Sequence, residues 1–273
     1  MNSIEQSDND EKISSNNSKT EEEEEKEEEN KNENKNKKLF ILHKIEIKSN
    51  EEKEKISLEI NKINLIDSKY VIKIEKYFFE KDEEEEKEFG SFFINYYKNN
   101  LEKIIYEQNF LNSRIIWKIF IQILLGLQSL HLNNLFVKYF KPKNIFFDDE
   151  NNIKIAGMNN FLDFTEEKEE EFLYYPKNEE INEKSNIFSL GCILYEMALK
   201  KKPPKKFQFD LDSEKCENDF KKILSKLLCE KEKRLTLNEI LLEIKRKIIE
   251  LNLFDEIVKK NFEGKKNFIN ILK

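Results

Sequence analysis

The spacing of apolar residues along the chain changes near residue 100. Before that point, Ile45 and Ile47 alternate with Glu46 and Lys48, and period-two alternation is typical of a strand with one buried face. Apolar residues three and four positions apart indicate a helix instead. These patterns predict a strand over 39–48, a helix over 52–66, strands over 70–79 and 91–97, and a solvated loop over 80–88.

Helical spacing dominates beyond residue 100. Its longest stretch places Ile115, Ile119 and Ile123 on one face, and either Asn112 or Ser113 is its predicted N-cap, because short polar side chains accept hydrogen bonds from the first turn. The other predicted elements are helices over 101–106, 185–199, 215–229 and 236–252, with short strands and turns over 135–157. The order predicts an α+β fold, with a small mixed lobe followed by a larger helical lobe.

The first 38 residues differ in composition from the rest of the chain. They carry 13 acidic residues and 7 lysines, no aromatic residue, and only Met1, Ile4 and Ile13 as apolar residues. Such a segment cannot bury enough apolar surface to offset the entropy lost on ordering. We therefore expect a disordered, acidic low-complexity tail over 1–38, and it lacks the apolar core of a signal peptide.

The remaining residues are nearly neutral, with 42 acidic and 41 basic residues. They contain no basic stripe of the kind that binds nucleic acid. The most apolar stretch, 115–130, is interrupted by Lys118, Gln122 and Gln128, whereas a membrane span needs ~20 apolar residues. The composition therefore predicts neither a nucleic-acid partner nor a membrane partner.

Cysteine and histidine positions bear on metal binding and location. Cys192, Cys216 and Cys229 show no C-x-x-C spacing, and His43 and His131 stand far apart in the sequence. Neither pattern is typical of a zinc site or of a disulfide framework. We therefore expect no metal site, and reduced thiols in a cytoplasmic protein, with a nuclear location not excluded.

Three segments carry a family resemblance. Residues 123–144 read ILLGLQSLHLNNLFVKYFKPKN, residues 145–156 read IFFDDENNIKIA, and residues 184–197 read KSNIFSLGCILYEM. In this order and spacing they resemble eukaryotic protein kinases of the Ser/Thr type. The resemblance implies a two-lobed kinase-like fold over 39–253. Its expected parts are a reduced N-lobe over 39–98, a helical C-lobe over 99–253 and a C-terminal extension over 254–273.

The resemblance assigns the catalytic loop to 137–144. Phosphoryl transfer in this family depends on positioned charge, including an aspartate that accepts the substrate hydroxyl proton. Tyr139 occupies that aspartate position, and a phenol with an unperturbed pKa of ~10 is a poor proton acceptor at neutral pH. Lys141 and Asn144 remain, and the resemblance implies that they touch phosphate and metal. The alternative is that K-P-x-N persists here only because it forms a good turn.

The metal-holding D-F-G motif corresponds to Gly157 and the two residues after it. Glycine has no side chain for Mg²⁺, which prefers oxygen ligands. Asp163 is the nearest acid that mimics the motif, six residues too late. The glycines stand at 90, 126, 157, 191 and 264, so no glycine-rich phosphate loop precedes the first predicted strand.

The nucleotide-side lysine has two candidates, Lys44 and Lys48, both at a strand end. In the family this lysine pairs with a glutamate on the following helix, and the spacing favours Lys44 with Glu59. The alternative is an exposed surface ion pair worth under ~1 kcal/mol.

Three further positions are expected to be structural. His131 belongs to the long helix and is expected in the core. Asn186 replaces a helix aspartate of the family. Arg234 matches an arginine that pairs with a glutamate, but the aligned residue is Lys177, which would repel it unless Glu179 or Glu180 takes over the pairing.

The substitutions at Tyr139 and Gly157, together with the missing glycine loop, decide the functional expectation. We expect a catalytically inactive pseudokinase that acts as a regulatory or scaffolding module. Its partner would be a protein, such as an active kinase or its substrate, and it would need no cofactor. The alternative is an active, divergent Ser/Thr kinase that uses ATP and Mg²⁺. Lys44, Glu59, Lys141 and Asn144 would then bind the nucleotide, so the sequence leaves enzymatic activity open.

Overall fold

The computed structural model describes residues 39–84, 86–107, 111–138, 140–156, 171–176, 179–212, 214 and 216–254, with only the backbone at 171–172. Its strands are Phe40–Ile47 (β1), Ile74–Asp82 (β2), Lys87–Asn95 (β3), Asn99–Asn100 (β4), Ile145–Phe147 (β5) and Ile153–Ile155 (β6). Its α-helices are Asn50–Leu65 (α1), Leu101–Glu107 (α2), Ser113–Leu132 (α3), Glu171–Tyr174 (α4), Glu183–Leu199 (α5), Asn218–Leu227 (α6) and Leu237–Glu250 (α7). The chain divides into the units Met1–Leu39 and Phe40–Lys273, and all these elements lie in the second. The predicted tail over 1–38 and most of the predicted extension over 254–273 lie outside the described residues.

The N-terminal lobe is an antiparallel sheet with one helix on one face. The strand order is β1-β3-β2, and Lys44 stands opposite Ser91. Helix α1 begins at an N-cap, Ser49, whose side chain accepts a hydrogen bond from the Glu52 N–H at 3.1 Å. Its buried isoleucines pack against the inward face of the sheet in one continuous core. The predicted strand–helix–strand–strand order of this lobe is confirmed.

Two predicted segments differ from the structure. The predicted loop over 80–88 is shorter, because β2 continues to Asp82 and β3 begins at Lys87. Alternating aromatic residues in these two strands stabilise the longer hairpin through cross-strand contacts, such as Phe78 with Phe93 at 5.9 Å. The predicted short strand beginning at Leu135 is irregular where it is described, and the backbone of Val137 bonds to the Asn186 side chain instead.

Helix α3 is the central element of the C-terminal lobe. Asn112 is its N-cap and accepts a hydrogen bond from the Ile115 N–H at 2.9 Å, which settles the choice between Asn112 and Ser113. A Cβ at Gly126 would lie 2.6 Å from Ile155 Cδ1 and 3.1 Å from Tyr70 Cβ. A larger residue would force Ile155 and Tyr70 to shift, so glycine suits this close approach of the helix to β6.

The same helix is long and apolar enough, by composition alone, to cross a membrane. Of its most apolar window, 78% is buried inside the protein. A helix at the centre of a packed domain is equally apolar, because it touches apolar neighbours on all sides.

Two backbone hydrogen bonds tie the lobes together. The Ile155 N–H donates to the Tyr70 carbonyl at 2.8 Å, and the Ile72 N–H donates to the Ile155 carbonyl at 3.1 Å. The segment that follows α1 is thereby fixed to β6 of the helical lobe. The predicted α+β architecture, a reduced mixed lobe followed by a mainly helical lobe, is confirmed.

Candidate functional site

Lys141 and Asn144 lie together in the turn before β5. Residues Pro142–Asn144 form a 3-10 turn that starts with proline, where a missing N–H costs nothing. The Asn144 N–H donates to the Lys141 carbonyl at 3.0 Å, and the Ala156 N–H donates to the Asn144 carbonyl at 2.9 Å. Both side chains are buried, with Lys141 1% exposed and Asn144 fully buried. The turn therefore holds the two retained residues of the K-P-x-N sequence inside the lobe.

The Lys141 ammonium is a buried cation without a hydrogen-bond partner among the described residues. Burying a charge without a partner is costly, so such a group is normally matched by an anion. The arrangement fits an anionic ligand such as a phosphate group, which a lysine binds as a point charge.

The described residues do not supply a metal site to accompany this cation. No group of three His, Cys, Asp or Glu side chains among them is placed to hold a metal ion. Tyr139, Gly157 and Asp163, which the sequence placed at or near the base and metal positions, lie outside the described residues. Val137, at the histidine position of the catalytic loop, is fully buried in apolar surroundings.

Lys44 differs from its expected place. Its ammonium lies 3.0 Å from a carboxylate oxygen of Glu80 on β2, and 4.5 Å from the centre of the Phe89 ring. Both ion-pair partners are nearly half exposed. The structure therefore pairs Lys44 with a neighbour in the sheet, and not with Glu59 of α1 as the spacing predicted.

The physical reason is the two-residue period of a strand. Side chains along β1 alternate between its two faces, and Ile45 and Ile47 face the side that carries α1. Lys44 therefore lies on the opposite face from Glu59. Lys48, the other candidate, lies beyond the end of β1 and is exposed. Lys44 is therefore not placed to meet Glu59, and the contact of Lys48 with α1 runs from its backbone N–H to the Glu52 side chain at 2.8 Å.

Asn186, in the first turn of α5, fixes the backbone of the catalytic-loop segment. Its Oδ1 accepts from the Val137 N–H at 2.9 Å, and its Nδ2 donates to the Val137 carbonyl at 2.7 Å. A carboxylate accepts but does not donate, so the second bond is specific to the amide. The asparagine at position 186 therefore makes a hydrogen bond that the aspartate of the family could not make.

His131 completes this cluster. Its Nε2 donates to Asn186 Oδ1 at 3.1 Å, because an amide oxygen only accepts. Burial lowers the pKa of the imidazole, and Nδ1 is buried without a hydrogen-bond partner among the described residues. The ring lies 5.1 Å from Phe136. His131 is therefore a neutral packing residue at the end of α3.

Arg234 is 4% exposed and forms a bidentate ion pair with Glu179. Its Nη1 lies 3.0 Å from Oε2, and its Nη2 lies 3.0 Å from Oε1. The guanidinium also donates to the backbone carbonyls of Lys184 and Cys229 and lies over the Phe188 ring. All five of its N–H donors are used, which is the condition for a stable buried cation.

This geometry settles the choice between the two carboxylates that the sequence offered. Glu179 forms the pair, whereas Glu180 is exposed. Lys177 lies outside the described residues. The glutamate that pairs with Arg234 therefore stands two positions after Lys177, the residue that the family resemblance aligns with the pairing glutamate.

Sequence reasoning missed a buried carboxylate, Glu196 of α5. It is fully buried and accepts hydrogen bonds from the hydroxyls of Tyr106, at 2.8 Å, and Tyr174. Lys202 lies 3.6 Å from the same carboxylate. Burial raises the pKa of Glu196, and these donors oppose that rise. In the sequence, Glu196 is the single acidic residue within the apolar run GCILYEM, and that position could have indicated a buried carboxylate.

Comparisons with known proteins agree with the fold and with the sequence motifs. A family model for the protein kinase domain matches residues 29–244, against the expected domain over 39–253. A probable serine/threonine-protein kinase nek2 from Dictyostelium discoideum is 31% identical over 104 residues, which are 34% of this chain and 25% of that protein. The human serine/threonine-protein kinase Nek2 is 29% identical over 133 residues, which are 43% of this chain and 30% of that protein.

A third relative is eukaryotic translation initiation factor 2-alpha kinase 1 of Plasmodium falciparum. It is 32% identical over 97 residues, which are 32% of this chain and 6% of that protein. The chain therefore spans less than a third of the length of each of these curated relatives. The family model, in contrast, covers most of the chain. On that match, and on the architecture described above, this chain belongs to the protein kinase domain family.

Proposed function

We propose that this domain is a catalytically inactive kinase-like module that regulates or scaffolds a protein partner. The observation that carries the proposal is the place of Lys44, on the sheet face opposite the helix glutamate. Kinases need the strand lysine and helix glutamate in place together for phosphoryl transfer. Here the lysine is bound to Glu80 on the outer face.

The sequence supplies two further arguments. Tyr139 stands where the family has its catalytic aspartate, and Gly157 stands where it has a metal-binding aspartate. Groups that act as a unit in catalysis are strongly non-additive, and losing one removes most of the rate. Three changes in separate parts of the site leave binding as the function that the retained scaffold best supports.

The proposed partner is a protein, either an active kinase or a substrate of one, in the cytoplasm. The helical lobe keeps the Arg234–Glu179 ion pair and the hydrogen bonds of Asn186 to the Val137 backbone, so it offers a rigid surface for such a partner. No metal or nucleotide is needed for this role.

The alternative, an active and divergent Ser/Thr kinase, is favoured by one observation. Lys141 is buried with a hydrogen-bonding capacity that no described residue uses. A phosphate group of a nucleotide would match it. The names of the relatives, which are Ser/Thr protein kinases, agree with this alternative.

Phosphate transfer to generic protein substrates distinguishes the two. The purified full chain would be assayed with Mg-ATP and Mn-ATP beside Lys141→Met, with Lys48→Met as the control for loss of one exposed lysine. We expect all three proteins to give the same background. Transfer by the wild type and by Lys48→Met that disappears in Lys141→Met would refute inactivity.

Thermal unfolding with and without ATP separates inactivity from loss of binding. A ligand that binds only the folded state raises the unfolding temperature with its concentration. A rise without phosphate transfer would leave a nucleotide-binding pseudokinase. No rise with excess ATP would leave a pure protein-binding module.

A further inference from the structure

A compact group of lysines follows α5. Residues 200–206 read KKKPPKK, and Lys202 is held by Glu102 and Glu196. The other four lysines are exposed, and none forms an ion pair within the part of the chain that the structure describes. We name this group, Lys200, Lys201, Lys205 and Lys206, the basic loop. It concentrates four positive charges within seven residues of the chain.

The basic loop is held in a defined conformation. Lys200 adopts a left-handed conformation with φ 52°, and its N–H donates to the Glu196 carbonyl at 2.8 Å. Pro203 is buried, and the Phe207 N–H closes the following turn on the Pro204 carbonyl at 2.9 Å. The Phe207 ring packs edge-on against Phe188 at 5.0 Å. Because the backbone is already ordered, a partner would not have to supply that ordering entropy.

We propose that the basic loop docks a short acidic segment of a protein partner. This rests on the proposed function and names the chemistry of that partner. Unpaired lysines on an ordered loop attract an anionic segment and steer its approach. The lysines occur in two pairs on either side of Pro203–Pro204, so they suit a chain with several neighbouring carboxylates.

The extent of the patch favours a peptide over nucleic acid. Asp210, Asp212 and Glu214 follow the loop directly and are all exposed. Nucleic acids carry closely and regularly spaced charges and bind to extended basic surfaces. A long polyanion would meet these acids, whereas a segment of a few glutamates would end before them.

Fluorescence anisotropy with two probes tests the proposal. A labelled decaglutamate peptide and a labelled oligothymidylate of equal charge would be titrated with the full chain at low and at high salt. The test variant replaces all four lysines of the basic loop by glutamine. The matched control replaces Lys48, Lys55, Lys62 and Lys81, which are exposed in the mixed lobe, by glutamine.

We expect the basic-loop variant to bind decaglutamate at least about tenfold more weakly than the wild type, and the control about as well as the wild type. Binding should weaken with salt. Equal peptide binding by the two variants would overturn the proposal, as would preference for the oligothymidylate. Melting temperatures of both variants show that they are folded. Phosphate transfer is assayed separately. If the chain transfers phosphate and the basic loop still binds decaglutamate, the proposed inactivity is refuted and the docking site is not.

Discussion

Arg234 and Lys141 are both cations buried in the helical lobe, 4% and 1% exposed, but their surroundings are opposite. Arg234 meets both oxygens of Glu179 and two backbone carbonyls. Lys141 meets no hydrogen-bond acceptor among the described residues. The arginine is satisfied by described residues of the fold, whereas no described residue matches the lysine.

The difference between Arg234 and Lys141 distinguishes a buried charge that stabilises the fold from a buried charge that is available to a ligand. A buried ion is tolerated when its hydrogen bonds are complete, and an incomplete set lowers stability. Glu179 supplies the match for Arg234 from within the fold. No described residue supplies one for Lys141. We expect an anion such as phosphate to bind at Lys141, whether or not the domain is catalytic.

Arg234→Met should give the largest loss of stability. It leaves Glu179 without its partner and two carbonyls without donors, so we expect the free energy of unfolding to fall by about 3–5 kcal/mol. Lys44→Met breaks the half-exposed pair with Glu80 and should cost under ~1 kcal/mol. Urea unfolding measures both. Equal losses of unfolding free energy in the two variants would show that burial does not determine how much each ion pair stabilises the protein.

Lys141→Met should have the opposite sign. Replacing an ammonium that is buried without a hydrogen-bond partner among the described residues by an apolar side chain of similar length is expected to raise the free energy of unfolding by about 1–3 kcal/mol. Inorganic phosphate should raise the unfolding temperature of the wild type but not of the variant. A variant less stable than the wild type in phosphate-free buffer would contradict the contrast with Arg234.

Asn186→Asp restores the residue expected from the family resemblance, and we expect it to destabilise this chain. A carboxylate oxygen would face the Val137 carbonyl in place of the donating amide, at a cost of about 1–3 kcal/mol. Asn151→Asp, in an exposed turn, makes the same change of charge and serves as the control. Thermal unfolding compares them, and an Asn186→Asp protein as stable as wild type would remove the argument for the amide.

Glu196→Gln should have the smallest effect at neutral pH and a distinctive pH dependence. Burial raises the pKa of Glu196 above its usual 4.5, so the folded state holds this proton more tightly than the unfolded state. The stabilising contribution of Glu196 is therefore present at low pH and declines as pH rises through its folded pKa. Urea unfolding of both proteins from mildly acidic to neutral pH should show the stability of the wild type falling relative to that of the variant as pH rises. A wild type that gains stability relative to the variant with rising pH would contradict the raised pKa.

The sequence was sufficient wherever one local pattern determined the outcome. Helix α3 follows from its apolar period and its cap at Asn112. The pairing of Arg234 was reduced to Glu179 or Glu180, and only three-dimensional geometry distinguished two neighbouring carboxylates. The fold class followed from the order of elements and from the motif segments, because both depend on short stretches of chain.

The candidate site was less predictable because it depends on which face a side chain occupies. The alternation of Ile45 and Ile47 with Glu46 places Lys44 on the outer face, whereas the family spacing pairs it with Glu59. Glu196 was missed for a related reason. Its hydroxyl donors come from distant segments, and no local pattern brings Tyr106 and Tyr174 to one carboxylate.

The two-way contact of Asn186 with Val137 has a consequence for how this chain can evolve. An aspartate restored at position 139 would enter a loop whose backbone depends on an amide, in a chain whose strand lysine lies on the outer sheet face. An aspartate restored at 186 would first cost stability. Under the proposed function, a return to catalysis would need changes at several separate positions, and the one at 186 would lower stability.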